Sequence, residues 1–362
     1  MEQKHPGLRV AAVAPKLRVA AIAKATAAIV AVAVLVRTLS NADLARAAAL
    51  VARSGAWVLV GLVPYALALA FDGLAWRTLV APIARPPVMT LVRARLRCDA
   101  LGATLPGGTL VGESIAPAWL REWMPLDAGV AAIAARKCMV GVAEGVYLVA
   151  SFAIGYSVLA GRSAAMPWIV LALGVLMLVM FGGMSVALAS GSIAARVHRS
   201  LASLPFPGLR TWIESRARGF TATDARLTSL FRAPPSRLAA ACALSLASWS
   251  VETLETWLLL GLVDVRLPLT TVLAFEASVS LLRSLAAFSP GGLGVQDVGY
   301  VAALGALGVP DAVTAGAAFV VLKRAKELAW ALVGYASLLS SDASAVGGRE
   351  AMTRVSLREA RS

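Results

Sequence analysis

Leu105-Pro106-Gly107-Gly108-Thr109-Leu110-Val111-Gly112-Glu113 and Ser289-Pro290-Gly291-Gly292-Leu293-Gly294-Val295-Gln296-Asp297 share a proline, two glycines, a valine and a closing acid at matching positions. Both copies lie inside long apolar stretches. Proline and paired glycines break a helix. In hydrocarbon a broken backbone is tolerated only where protein or a water-filled cavity satisfies its freed N–H and C=O groups. Two such breaks in corresponding places predict two re-entrant hairpins around a transport site.

Composition sets the environment of these breaks. The chain is 59% hydrophobic with a mean hydropathy of +0.77, well above soluble domains, and its apolar residues come in runs of about 20. An all-α polytopic integral membrane protein follows. The net charge of +14 is gathered in a few connecting segments, the pattern of positive-inside topology rather than of a nucleic-acid groove. Cys98, Cys138 and Cys242 are isolated, and the two histidines, His5 and His198, fall in the N-terminal tail and a basic loop. That excludes a disulfide framework, a zinc site and histidine-based catalysis.

Full-length apolar segments fall at 19–39, 55–80, 126–160, 165–190, 237–262 and 311–340, giving about six crossings. The broken regions are 88–124 and 268–308. The basic stretch before residue 25 precedes a helix without a small-residue cleavage site, so the first span reads as an uncleaved helix. One membrane domain of 19–340 is expected, between an N-terminal tail of 1–18 and a C-terminal tail of 341–362. Within it, elements of about 55–190 and 237–340 form the repeat, joined by a basic loop of 191–236.

Loop charge supports this count. Both tails, the segment with Arg77, Arg85, Arg93, Arg95 and Arg97, and the loop with eight arginines between 191 and 237 all fall on one side, the cytoplasmic one. The link with Arg37, Arg46 and Arg53 is discordant. Three crossings separate the hairpins, so they open from opposite faces and constitute an inverted repeat, an arrangement suited to alternating access at a midplane site. The arginine-rich loop interleaves Trp212, Phe220, Leu227 and Phe231, which suits either the headgroup layer of an anionic leaflet or a solvated topology-setting loop.

Charge inside hydrocarbon is costly and marks function or structural pairing. Arg136-Lys137 follows the first motif and Lys323-Arg324 the second. About 1.5 Å of rise per residue from the preceding prolines puts both pairs near the bilayer centre. These four cations, with Glu113 and Asp297 near the helix starts, are the candidate substrate-binding residues, facing a phosphate or other polar headgroup. Glu113 and Asp297 suit equally a helix cap, an ion-pair partner for Arg136 or Lys323, or a proton or cationic-headgroup site. Spacing also permits Lys323 to pair with Glu327 and Lys137 with Glu144. Glu252 and Glu255 form either a cation-attracting face, a proton relay or partners for Arg283, and take no assigned role. Pro106, Gly107, Gly108, Pro290, Gly291, Gly292 and Gly294 form the hairpin turns.

Metalloprotease, intramembrane aspartyl protease and Walker A signatures are missing, so neither an enzyme nor a cofactor is expected. The motif residues, with Lys323-Arg324, Glu327-Leu328 and Trp330, resemble the flippase-like membrane domain of lysylphosphatidylglycerol synthases, over roughly 55–340. Free-standing members of that family include a branch associated with hopanoid biosynthesis. The resemblance implies an all-helical domain that moves or handles lipids, with membrane lipids as partners. Asp297 stands where the family usually has glutamate. The family's soluble aminoacyl-transferring domain is absent from this sequence, so it is not expected to make lysyl-lipid by itself. The reading is a bacterial inner-membrane lipid translocase with both termini cytoplasmic. The alternative is a non-transporting accessory protein that recruits or stabilises lipid-synthesis enzymes, through the arginine-rich loop.

Overall fold

The computed structural model describes residues 43–105, 107–161, 163–191, 196, 200, 217–285, 292 and 294–359. The expected first span at 19–39, Pro106, Pro290, Gly291 and half of the loop at 191–236 lie outside the described residues.

A helical run begins the described chain: α1 (Leu44–Ser54), one 3-10 stretch (Gly55–Gly61) and α2 (Leu62–Val80). Asp43 caps α1, its carboxylate accepting from the Arg46 N–H. The first hairpin follows as α3 (Val88–Thr104) and α4 (Gly108–Trp119), with the break where the sequence places it. Three long helical elements come next. They are α5 (Leu126–Ala160), α6 (Met166–Met177) continued through a π-helical turn into α7 (Gly183–Ala189), and α9 (Pro235–Leu262). Between the last two lies the amphipathic α8 (Ala217–Phe231). The second hairpin is α10 (Leu269–Leu285) and α11 (Val295–Ala306), and α12 (Ala312–Glu359) completes the fold.

Among the described residues, Leu44–Val80, Leu126–Ala160 and Met166–Ala189 are long and apolar enough to cross a membrane. At 28 residues α9 has the length too, but it carries Glu252 and Glu255, just as α12 carries Lys323, Arg324, Lys326 and Glu327. Charge is not confined to these two: α5 carries Arg136 and Lys137, and α2 carries Asp72. Large apolar side chains such as Trp57, Leu59, Trp168, Val179 and Val186 face outward, the surface that lipid rather than water covers.

The hairpins enter from opposite ends. Leu91, Leu120 and Met124, at the base of the first, pack on Trp76 and Val80 near the end of α2. Val265, Leu304 and Val309, at the base of the second, pack beside Ala47, Val51 and Val58 at the start of the same helical run. Two ion pairs tie that second base down: Arg46 to Asp311 at 3.0 Å and Arg53 to Asp264 at 3.3 Å. They account for two of the three discordant arginines, Arg46 and Arg53, while Arg37 lies outside the described residues. At the opposite end α8 seats Leu227 and Leu230 on Leu79, Ala131 and Leu188, gathering Arg218, Arg226 and Arg232 there with Arg77 and Arg85.

Arg95 and Arg97, expected on a basic connecting segment, turn inward on α3 instead. Arg95 meets Asp99 at 2.7 Å, and Arg97 donates to the Ser337 carbonyl at 2.7 Å. The close approach behind the second bond requires Gly334, where a methyl group would stand 2.5 Å from the Leu96 carbonyl oxygen. Small residues at such crossings let helices pack without a hydrophobic driving force between them.

Candidate functional site

Both glycine breaks reach one cavity. It measures about 300 Å³, and Gly107 and Gly108 of the first hairpin and Gly292 of the second stand on its wall. Gly107 adopts φ +68° as the residue before α4, and Gly292 and Gly294 adopt φ +68° and +84° before α11. The left-handed region is open to glycine at little cost, so each chain turns sharply and aims the start of a short helix at the interior. The rise of about 1.5 Å per residue puts Lys323 and Lys326 of α12 about 16 and 21 Å from that helix's start. The cavity therefore lies well inside the bundle.

Ion pairing inside this region follows an internal symmetry. Lys137 Nζ meets Glu113 Oε1 at 2.7 Å, and Arg324 Nη2 meets Asp297 Oδ1 at 2.5 Å. In each repeat the second cation of the pair grips the acid on the first turns of the broken helix. The first cations go elsewhere. Arg136 donates from Nη2 to Asp72 at 2.7 Å and lies over the Trp76 ring at 5.3 Å. Lys323 sits 3.4 Å from Glu276 and 3.2 Å from the Thr256 hydroxyl, and that hydroxyl itself donates to Glu276. Asp297 adds a cap, its Oδ2 accepting from the Gly294 N–H at 3.0 Å. Arg324 completes its shell with Glu327 at 2.5 Å.

Several sequence expectations change accordingly. Glu113 pairs with Lys137 rather than Arg136, Asp297 with Arg324 rather than Lys323, and Glu327 with Arg324 rather than Lys323. Arg283 has no described side chain. Of the six candidate substrate-binding residues only Lys323 stands on the wall. Arg136, Lys137, Arg324, Glu113 and Asp297 lie in ion pairs that link helices, the partnering that a buried charge such as that of Arg136 or Asp297 requires.

The wall has its own charge, and it is not the cationic chamber the sequence implied. Asp99, Glu252, Glu255 and Glu327 oppose only Lys323 and Lys326. Lys326 Nζ lies 2.6 Å from Glu255 Oε1 and 4.7 Å above the Tyr65 ring. Tyr65 donates to Asp99 at 2.8 Å. Two polar atoms on this wall remain buried without a hydrogen-bond partner: the acceptor Glu255 Oε2 and the donor Trp330 Nε1. A buried polar atom left unpaired is costly, and both of these atoms belong to residues on the wall of one cavity.

Sequence reasoning found Lys323 and the glycines but assigned no site role to Lys326, Glu327 or Trp330. Helical spacing held a signal, since residues three, four and seven apart share a face. Asp99 and Tyr65 had none, because only packing brings α2 and α3 to α12.

Neither the curated proteins nor the solved structures gave a match. The family model described as lysylphosphatidylglycerol synthase TM region matches residues 21–325, starting earlier and ending sooner than the likeness read from the motifs. Two opposed hairpins closing on a polar cavity, in a helical membrane bundle matched over most of its length, place this chain in the lysylphosphatidylglycerol synthase TM region family, a family of membrane proteins related to lipid handling.

Proposed function

We propose that the protein is a lipid translocase of the bacterial inner membrane, without enzymatic activity of its own, that passes a polar headgroup through the central cavity by alternating access. One observation supports this above others. Two oppositely entering hairpins meet at a single cavity whose wall carries an unpaired donor, Trp330 Nε1, and an unpaired acceptor, Glu255 Oε2. A headgroup with both donor and acceptor atoms satisfies both, while its tail stays in lipid. Rocking one hairpin against the other opens the cavity to one leaflet and then to the other. Gathering of arginines at the α8 end favours a cytoplasmic position for that end and for both termini.

Purified protein in vesicles containing a trace of nitrobenzoxadiazole-labelled phosphatidylglycerol provides the test, read by dithionite quenching of the outer leaflet. Quenching should exceed the half expected of empty vesicles. Ala103→Trp, which fills the cavity from its wall, should abolish the excess while the protein still folds. Wild-type behaviour in that variant would remove the cavity from the mechanism.

A further inference from the structure

Arg46 and Arg53, which break the loop-charge pattern, line a second pocket that the translocation reading does not use. It measures about 570 Å³ and lies at the base of the second hairpin, between α1, the α9–α10 link and the 307–311 turn that joins α11 to α12. Arg266 of that link stands on its wall with them, beside the apolar Leu50, Val265, Leu267 and Val309. We propose that this pocket binds a phosphate group, supplied by a lipid headgroup or by a soluble phosphate. The proposal goes beyond the translocation reading and does not rest on it.

The three guanidinium groups have donors to offer. Arg266 is exposed and has no ion-pair partner among the described residues. Arg46 and Arg53 meet Asp311 and Asp264 through Nη1, and a guanidinium carries five N–H donors, so most remain for another acceptor. Their side chains are 64% and 70% exposed, and an ion pair in that setting contributes little. A phosphate that draws on either arginine therefore costs the fold little. Arginine suits it, because the planar fork meets two phosphate oxygens at once. Asp43, another acid at this end, is occupied in capping α1.

The backbone sets these groups in place. Among the described residues other than glycine, only Asp264 and Asp311 adopt left-handed backbone, at φ 62° and 50°, and both line this pocket. Glycine would adopt that conformation more cheaply. Aspartate at both turns instead fixes each α1 arginine at the pocket wall before a ligand arrives. Backbone outliers held in this way cluster at binding sites.

Depth favours the lipid as the source. From Arg53 to Arg77 the helical run rises about 36 Å at about 1.5 Å per residue, against a hydrocarbon thickness of about 30 Å. A crossing by this run puts Arg53 in the headgroup layer opposite α8. Exposed Trp57, about a turn further in, and Trp257, whose Nε1 donates to the Leu267 carbonyl at 3.0 Å, stand where aromatic belts lie. A headgroup phosphate reaches the arginines from that layer while its glycerol and upper chain cover the apolar wall. A soluble phosphate uses the arginines alone. From this pocket α11 runs back to the central cavity, where Gly292 stands before its other end.

Arginine footprinting with phenylglyoxal, read residue by residue by peptide mass spectrometry on the full chain in maltoside micelles, tests this without lipid movement. The probes are dioctanoyl phosphatidylglycerol, dioctanoylglycerol and inorganic phosphate. The phosphatidylglycerol should slow modification of Arg46, Arg53 and Arg266 with one shared concentration dependence. Exposed Arg121, at the base of the first hairpin, should stay reactive. Arg266→Gln has no ion pair to lose, and should raise the concentration that half-protects Arg46 and Arg53 about tenfold. Protection by phosphatidylglycerol where inorganic phosphate is silent assigns a lipid, and equal protection by inorganic phosphate assigns a soluble source to the same site. No protection, protection by dioctanoylglycerol, equal protection of Arg121, or wild-type protection in Arg266→Gln overturns the proposal. Ala103→Trp, which fills the central cavity, should keep full protection, so the failure of translocation and the failure of this site are read apart.

Discussion

Arg136 separates two accounts of the buried cations, and removing it tests them. Its guanidinium is 7% exposed, and the Asp72 side chain that it grips is 10% exposed. Removing one member of such a pair leaves an uncompensated buried charge, at a cost of about 3–5 kcal/mol, whereas replacing both with apolar residues is often neutral. Loss of the contact with Trp76 adds about 1–2 kcal/mol. Arg136→Met should therefore destabilise by about 4–7 kcal/mol and Asp72→Leu by about 3–5 kcal/mol, while the double variant should fall within about 2 kcal/mol of wild type. Equilibrium unfolding in mixed micelles, followed by tryptophan fluorescence, measures the cycle. The double variant should also move labelled lipid at the wild-type rate, since Arg136 does not reach the cavity wall. A double variant as unstable as the worse single one, or one that folds and does not transport, would refute the structural role and return Arg136 to the headgroup.

Further outcomes follow from the same contacts. Gly112→Leu should prevent stable insertion, because any Cβ there would stand 2.9 Å from the Cys98 Cα, and protein yield from membranes measures it. Asp297→Ala removes both the Gly294 cap and the Arg324 partner, and should cost about 3–5 kcal/mol in the same unfolding assay. Asp297→Asn should recover the part due to the cap alone. Asp264→Ala, which unpairs the exposed Arg53, should change stability by less than about 1 kcal/mol, and less still at high salt. Cysteines introduced as Arg53→Cys and Arg232→Cys should react with a membrane-impermeant maleimide from opposite faces, while labelling from one face would dismantle the inverted repeat.

The linear sequence determined the environment and the two breaks, because each depends on local chemistry: apolar runs of bilayer length, and proline with paired glycine that no continuous helix accommodates. Helix ends were less legible: α1 fills the expected link before residue 55, and α12 runs on through the expected C-terminal tail to Glu359. The sequence also placed the cation pairs at matching depth in each repeat. Apart from the same-helix pairs Arg95–Asp99 and Arg324–Glu327, which acid each cation meets was decided by tertiary structure. Arg136 has Asp72 from another helix 2.7 Å away, and Lys137 meets Glu113 from α4, while Glu327, expected beside Lys323, pairs with Arg324 on its own helix. Helical spacing constrains neighbours along one helix, but the partners of a buried charge come mostly from helices packed against it. The character of the cavity changed for the same reason. Counting charges along the chain gave a cationic site, whereas packing turned Asp99, Glu252, Glu255 and Glu327 onto one wall and spent most of the predicted cations on holding helices together.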